Sequence, residues 1–244
     1  MSSLEAQLKT WVESGVQILD MGGESTRPGA DTISAEHEWQ RLKPAFELLD
    51  RLAEKHEFMP LISVDTRHAQ VARKALERGA DWVNDVTGLS GTAMHALVRE
   101  KEATTVAMHS LSIPVRPGET LATDRPVDLQ LLDWLDRQSV AWKEAGLDIG
   151  RIIFDPGVGF GKTALQNQDI IKRTASFRRH GFRLLIGHSR KSFMNTYAAH
   201  AFADRDIETL GLSLAMCEQG VDIIRVHDPV SHIRAYRAWA QIRN

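Results

Sequence analysis

Short apolar runs alternate with longer amphipathic stretches along the whole chain. This alternation constrains the fold more than any other feature of the sequence. The runs are VQILDM (16–21), LISVD (61–65), DWVND (81–85), ATTVAMH (103–109), RIIFD (151–155), RLLIG (183–187) and DIIRVH (222–227). Each is rich in Val, Ile or Leu without polar alternation, as parallel strands buried on both faces require. Between them, residues 3–14, 35–55, 68–78, 91–101, 128–145, 164–179, 206–219 and 230–243 repeat apolar positions at helical spacing. Gly15, Gly79, Gly146, Gly181 and Gly220 stand just past a last helical turn, where a left-handed cap belongs. Strand–helix repetition implies a parallel sheet with right-handed crossovers. An open doubly wound sheet and a closed (β/α)8 barrel compete. The first should carry a G-x-G-x-x-G turn after its opening strand, and the sequence has none. Seven strands and eight helices, beginning and ending on a helix, suit a TIM barrel recorded without its first strand. No Pro/Gly/Ser-rich linker divides the chain, so residues 1–244 are expected to form one domain.

Composition narrows the class. With 43% apolar and 25% charged residues over 244 positions, the chain can bury a core, which excludes disorder. A net charge of −2 without a basic run argues against a dedicated nucleic-acid binder. The single Cys217 excludes an internal disulfide and fits a reducing compartment, hence the cytoplasm. No apolar run approaches the roughly 18–20 residues a membrane helix needs. The opening MSSLEAQLKTWVESG lacks the basic and apolar regions of a signal peptide.

Polar residues collect just after the apolar runs, in DMGGESTRPG, SVDTRH, VNDVTG, AMHS, FDPGVGFGKT, IGHSRKSF and IIRVHDP. In a barrel these ends converge on one face, where active sites of the fold lie. Asp20, Asp65, Asp85 and Asp155, with Asn84, form a carboxylate and amide floor suited to an amino-substituted heterocycle. Thr26, Arg27, Ser189, Arg190, Lys191, Arg225 and His227 form a cationic rim suited to phosphates. Arg225 and His227, two apart on a strand, should share a face. The set points to a ligand with a nitrogen heterocycle at one end and phosphates at the other.

Several motifs fail on inspection. GVGFGKT would be a P-loop only with Gly at position 156, where Pro156 stands. GHSRK lacks the closing Gly of a nucleophile elbow. H-E-x-x-H and C-x-x-C are absent, so a dedicated zinc site has no support. Lys162 and Thr163 read as helix-start residues, and Asp85 as a cap of the following helix.

Taken together, DMGGESTRPGA, SVDTRHAQVARKAL-x-x-GAD-x-VNDV, DPGVGFGKT, GHSRKSF and IIRVHD resemble the signature blocks of the dihydropteroate synthase family, in its order and over about residues 5–240. The resemblance implies a (β/α)8 barrel that condenses 6-hydroxymethyl-7,8-dihydropterin pyrophosphate with p-aminobenzoate, giving 7,8-dihydropteroate and pyrophosphate for folate biosynthesis. It implies Mg2+ as cofactor, sulfonamides as competitors and homodimers paired through late helices. By position, it implies that Asp65, Asn84 and Asp155 hold the pterin ring and that Lys191 reaches it. Phe160 and Met108 would wall the pocket, with Gly159 and Gly187 allowing close approach. Arg225 and His227 would anchor the pyrophosphate. Thr26 and Arg27 would meet the diphosphate and, with Pro28, border p-aminobenzoate, near Ser189 and Ser192. Lys191, Arg225, His227 and Asp65 would carry the catalytic work. His188, just before SRKS, is a further candidate for substrate contact.

The sequence departs from the family at its opening strand, in the connection after His109 and at His188, where the family often has Thr or Met. The family's opening strand, with an Asn-x-Thr-Pro-Asp-Ser-Phe segment that supplies a Mg2+-binding Asn, has no counterpart here. A late start, a truncation or a paralogue's loss would each explain that, and low stability or association is the expected consequence. The stretch SLSIPVRPGETLATDRPVD stands where the family has a Met-Gln-Gly type turn. Two other functions compete. One is a methyltetrahydrofolate-binding methyltransferase barrel, which has no diphosphate to hold and so no need of GHSRKS or R-x-H. The other is a non-catalytic pterin-binding paralogue.

Overall fold

The structure, a computed structural model, describes residues 3–27, 29–196 and 205–243. Among these residues seven parallel strands form one curled sheet in chain order. They are β1 (Ile18–Gly22), β2 (Leu61–Asp65), β3 (Trp82–Asp85), β4 (Thr104–Met108), β5 (Ile152–Asp155), β6 (Arg183–Ile186) and β7 (Ile223–Ile224). Among the described residues no rung joins β7 back to β1. Among the described residues eight α-helices accompany them: α1 (Ser3–Ser14), α2 (Ala35–Ala53), α3 (Ala69–Glu77), α4 (Thr92–Lys101), α5 (Val127–Glu144), α6 (Ala164–Lys172), α7 (Asp206–Glu218) and α8 (Pro229–Gln241). α8 packs against both α7 and α1, which brings the helical layer round. This is the barrel-type architecture that the alternation implies.

The sequence signals act locally as expected, with two differences. The five glycines past helix ends all have positive φ, between 75° and 95°. Thr163 caps α6 in a capping box with Gln166, each side chain bonding the other's backbone N–H. The α-helix expected over 164–179, however, ends at Lys172, and Thr174–His180 forms a 3-10 segment. Thr174 bonds its hydroxyl back to the carbonyls of Ile170 and Ile171, which offers the backbone an alternative to continued helix. Similarly, β7 is two residues long although the apolar run covers six.

Period-two geometry sorts each strand into two faces. One face packs under the helices in a large core containing Leu19, Ile62, Val64, Val83, Phe154 and Ile186. The other fills the barrel interior with a smaller plug: Trp82, Val106, Ile153 and Leu185, flanked by Ile18 and Ile223. Two residues further along each of these strands lie Asn84, Met108, Asp155, Gly187, Asp20 and Arg225. The strand register therefore stacks a layer of mostly polar residues on the apolar plug. That layer is the site.

Candidate active site

Asp20 organises the mouth. Its Oδ1 accepts from the Ser63 hydroxyl at 2.6 Å, and its Oδ2 from the Asn84 amide at 3.1 Å. Arg225 Nη1 donates to Asp20 at 2.7 Å and to Asp65 at 2.8 Å, so one guanidinium ties β7 to β1 and β2. Burial, reinforced by the neighbouring Asp20 carboxylate, pushes Asp65 up to about 7 against the pull of Arg225. The two carboxylates raise the basicity of Arg225 despite its desolvation and keep it charged. Asn84 is buried, and its Oδ1 has no partner.

The segment after β5 supplies a second wall. Asp155 is buried, which raises its pKa, and it accepts the Gly157 N–H at 2.7 Å. Gly157 has φ +67°, and a Cβ there would lie 1.9 Å from the His109 carbonyl oxygen, so no other residue fits. Phe160 joins Met108 and Val86 in an apolar cluster, with Ile113 and Val115 packed against it. Those two residues place the long Pro-rich connection after β4 against this wall. Lys191 lies over Phe160, with Nζ 4.7 Å from the ring centroid, and donates to the Val158 carbonyl. Burial lowers Lys191 to about 8, an effect Asp155 opposes. A Cβ on Gly159 would come within 3.0 Å of Lys191 Cδ, the close approach expected at that glycine.

The segment after β6 aims Lys191. Arg190 takes a left-handed φ of +56° and pairs with Asp206 through two bonds of 2.6 and 2.7 Å. Ser189 is buried, and its Oγ lies 2.9 Å from His227 Nδ1. Ser192, three residues on, is exposed. Burial lowers the His227 pKa, and Arg190, Arg225 and Arg27 add to the effect. The loop after β1 is tied at both ends by Glu24, which accepts Arg67 Nε at 2.7 Å, Arg67 Nη2 at 3.0 Å and the Ile33 N–H at 2.9 Å. Thr26 and the exposed Arg27 ride on this loop, while Pro28 lies outside the described residues.

Some sequence expectations are corrected. Arg225 and His227 reach different partners: Arg225 bonds the Asp20 and Asp65 carboxylates, whereas His227, beyond the end of β7, meets Ser189. His188 does not face the mouth. It is fully buried with Nε2 near the Thr209 carbonyl and the Ser213 hydroxyl of α7, and burial lowers it to about 4. Asp85 closes a turn onto Thr87 rather than capping α4, whose cap residue is Gly91. Ser63 and the Glu24–Arg67 pair were missed. Ser63 stands two residues before Asp65 on β2, a signal the strand period could have used.

Magnesium finds no ready-made site among the described residues. Among the described residues no group of three or more His, Cys, Asp or Glu converges, and Asp20 and Asp65 are both engaged by Arg225. A cavity of about 330 Å3 lies at the opposite end of the barrel, lined by Phe46, Met59, Leu61 and Arg78, and takes no part in this mouth.

A parallel barrel with such a polar layer at the carboxyl ends of its strands is the build of a small-molecule enzyme. The chain belongs to the family described as pterin binding enzyme, which matches residues 2–227. A folate synthesis bifunctional protein of Chlamydia caviae is 38% identical over 229 residues, covering 93% of this chain and 51% of its own. The chain thus spans about half the length of that curated relative. Among solved structures, the dihydropteroate synthase of Anaplasma phagocytophilum with bound 6-hydroxymethylpterin-monophosphate has a TM-score of 0.90 at 32% identity, covering 98% of this chain and 93% of that one. The dihydropteroate synthase of Thermus thermophilus in complex with 4-aminobenzoate has a TM-score of 0.84 at 31% identity, covering 99% and 90%. No helix among the described residues is long and apolar enough to cross a membrane.

Proposed function

We propose that this chain is a transferase that condenses 6-hydroxymethyl-7,8-dihydropterin pyrophosphate with p-aminobenzoate, releasing 7,8-dihydropteroate and pyrophosphate in folate biosynthesis. One observation carries the reading. A buried floor with an unpaired acceptor, Asn84 Oδ1, is joined to the cationic side of the mouth through Asp20, whose Oδ2 accepts from both Asn84 and Arg225. A ring rich in N–H groups satisfies the first, and a diphosphate suits the second.

In this mechanism Asp65, Asn84 and Asp155 accept from the pterin, between the Met108–Phe160 wall and Lys191. Arg225 exchanges part of its bond to Asp65 for a phosphate oxygen, and His227 and Arg27 extend the rim. The pterin CH2–O bond breaks, and pyrophosphate leaves with the bonding pair. The cation that develops spreads into the ring, which the carboxylates favour. The p-aminobenzoate nitrogen forms the new C–N bond and loses its proton to water. Thr26, Arg27, Pro28, Ser189 and Ser192 border that second substrate. Arg225 and His227 would meet the diphosphate oxygens, and magnesium bound with the diphosphate would offset part of its charge.

The proposal extends to cytoplasmic location, sulfonamide competition with p-aminobenzoate and homodimers through α7 and α8. Ile207 on α7 and Tyr236 on α8 are 77% and 51% exposed, which suits a face covered by a second copy. Incubation with both substrates and Mg2+ should release pyrophosphate in proportion to dihydropteroate. Pterin binding without turnover would instead identify a non-catalytic relative, and turnover of methyltetrahydrofolate a methyltransferase.

A further inference from the structure

Lys162 sits in GVGFGKT but not as an exposed helix-start residue. Only 8% of it is exposed, and the Asp155 carboxylate acts on it through space, forming no ion pair with it among the described residues. Its Nζ donates to the Phe160 carbonyl at 2.8 Å and meets His109 Nδ1 at 3.0 Å, which sets the His109 proton on Nε2. His109 is 3% exposed, follows β4 directly, and donates its backbone N–H to the Asp155 carbonyl at 2.9 Å. Its ring meets Trp134 edge-on at 5.1 Å. From the other side, Asn167 accepts the Gly159 N–H at 2.7 Å and donates to the Thr163 carbonyl. The turn carrying Phe160 is thus clamped between α6 and the end of β4.

An ammonium buried with no directly bonded carboxylate, and only Asp155 to offset its charge through space, is costly, and an apolar residue of the same length would fill the space more cheaply. What the apolar residue would lack is the pair of directed bonds. One of them ends on the backbone of Phe160, the residue that packs on Met108 and Val86 and underlies Lys191. We propose that Lys162 and His109 form a strut that positions Phe160, and through it the pterin-facing wall and the Lys191 ammonium. Both are positioning residues, buried behind the wall and touching no substrate. The inference rests on the pterin site proposed above and adds to it two residues that set its geometry. Lys162 is lowered to about 7 and His109 to about 3, each chiefly by burial, as befits groups that belong to the scaffold.

The test compares Lys162→Met, His109→Leu and His109→Gln with the unaltered chain. It uses the Kd of 6-hydroxymethylpterin by calorimetry and the KM of each substrate in turnover. Lys162→Met and His109→Leu are expected to weaken pterin about tenfold and to leave the p-aminobenzoate KM within about twofold. His109→Gln keeps an acceptor for the ammonium and should remain within about threefold of the original. Combining Lys162→Met with His109→Leu should do no more than either alone, because both cut one strut. If Lys162→Met does not fold, His109→Leu against His109→Gln gives the same comparison without a change of charge. Unaltered protein that binds no pterin sinks the functional reading and the strut's role with it. Unaltered protein that binds while the variants bind equally well, or lose both substrates alike, overturns the strut alone.

Discussion

Arg225 is the side chain that spans from β7 to β1 and β2, so its replacement by Leu probes how the mouth is held. Its Nη1 serves Asp20 and Asp65, whose side chains are 16% and 21% exposed, while its own is 41% exposed. An exposed pair contributes about 0–1 kcal/mol, and breaking a buried one costs about 3–5 kcal/mol. A partly exposed guanidinium with two partners falls between, so Arg225→Leu is expected to cost about 2 kcal/mol near neutral pH. For a chain of this size that is roughly 4–8 °C in Tm. The pH dependence is the sharper test. Asp65 is raised from 3.8 to about 7, so the folded state holds a proton that the unfolded chain has already released. Stability therefore falls as pH rises through that interval, and the fall steepens once the offsetting cation is removed. The loss on Arg225→Leu should be small near pH 4.5 and largest near pH 8. Urea unfolding followed by circular dichroism at both pH values measures it. Equal losses at the two would refute the assignment of the two carboxylates to one guanidinium.

Further outcomes follow from the same geometry. Lys191 is lowered to about 8, so pterin affinity should decline as pH rises through 8, and Lys191→Arg should move that decline upward by at least two pH units in a titration of Kd. Gly157→Ala places a methyl 1.9 Å from the His109 carbonyl at a positive φ, so it should abolish pterin binding and cost several kcal/mol, on the order of other strained backbone changes. β7 is two residues long and α8 has no fully buried residue, whereas β3 and β5 are buried at every position. Amide exchange should therefore run at least about tenfold faster in α8 than in β3 and β5, and uniform protection would contradict that order.

Much of the fold was legible because it rests on periodicity. Unbroken apolar runs identify parallel strands, and a two-residue step along a strand returns to the same face. From Ile18, Trp82, Ile153 and Ile223, that step reaches Asp20, Asn84, Asp155 and Arg225. The floor of the site was therefore written in local sequence. The 3-10 break after Lys172 was not, since the apolar spacing runs on unbroken and the competing Thr174 hydroxyl bonds are weak local signals. Nor was the burial of His188, whose partners Thr209 and Ser213 lie on a helix more than 20 residues away.

The sequence by itself determined the strand count, the order of helices and the chemistry gathered at the strand ends. Tertiary structure alone decided which charges meet. Arg225 finds Asp20 across 205 residues of chain, Glu24 finds Arg67, and Lys162 turns inward to His109. Periodicity is a property of neighbours along the backbone. Pairing depends on where a side chain points once its strand has ended, and only packing against other elements sets that direction.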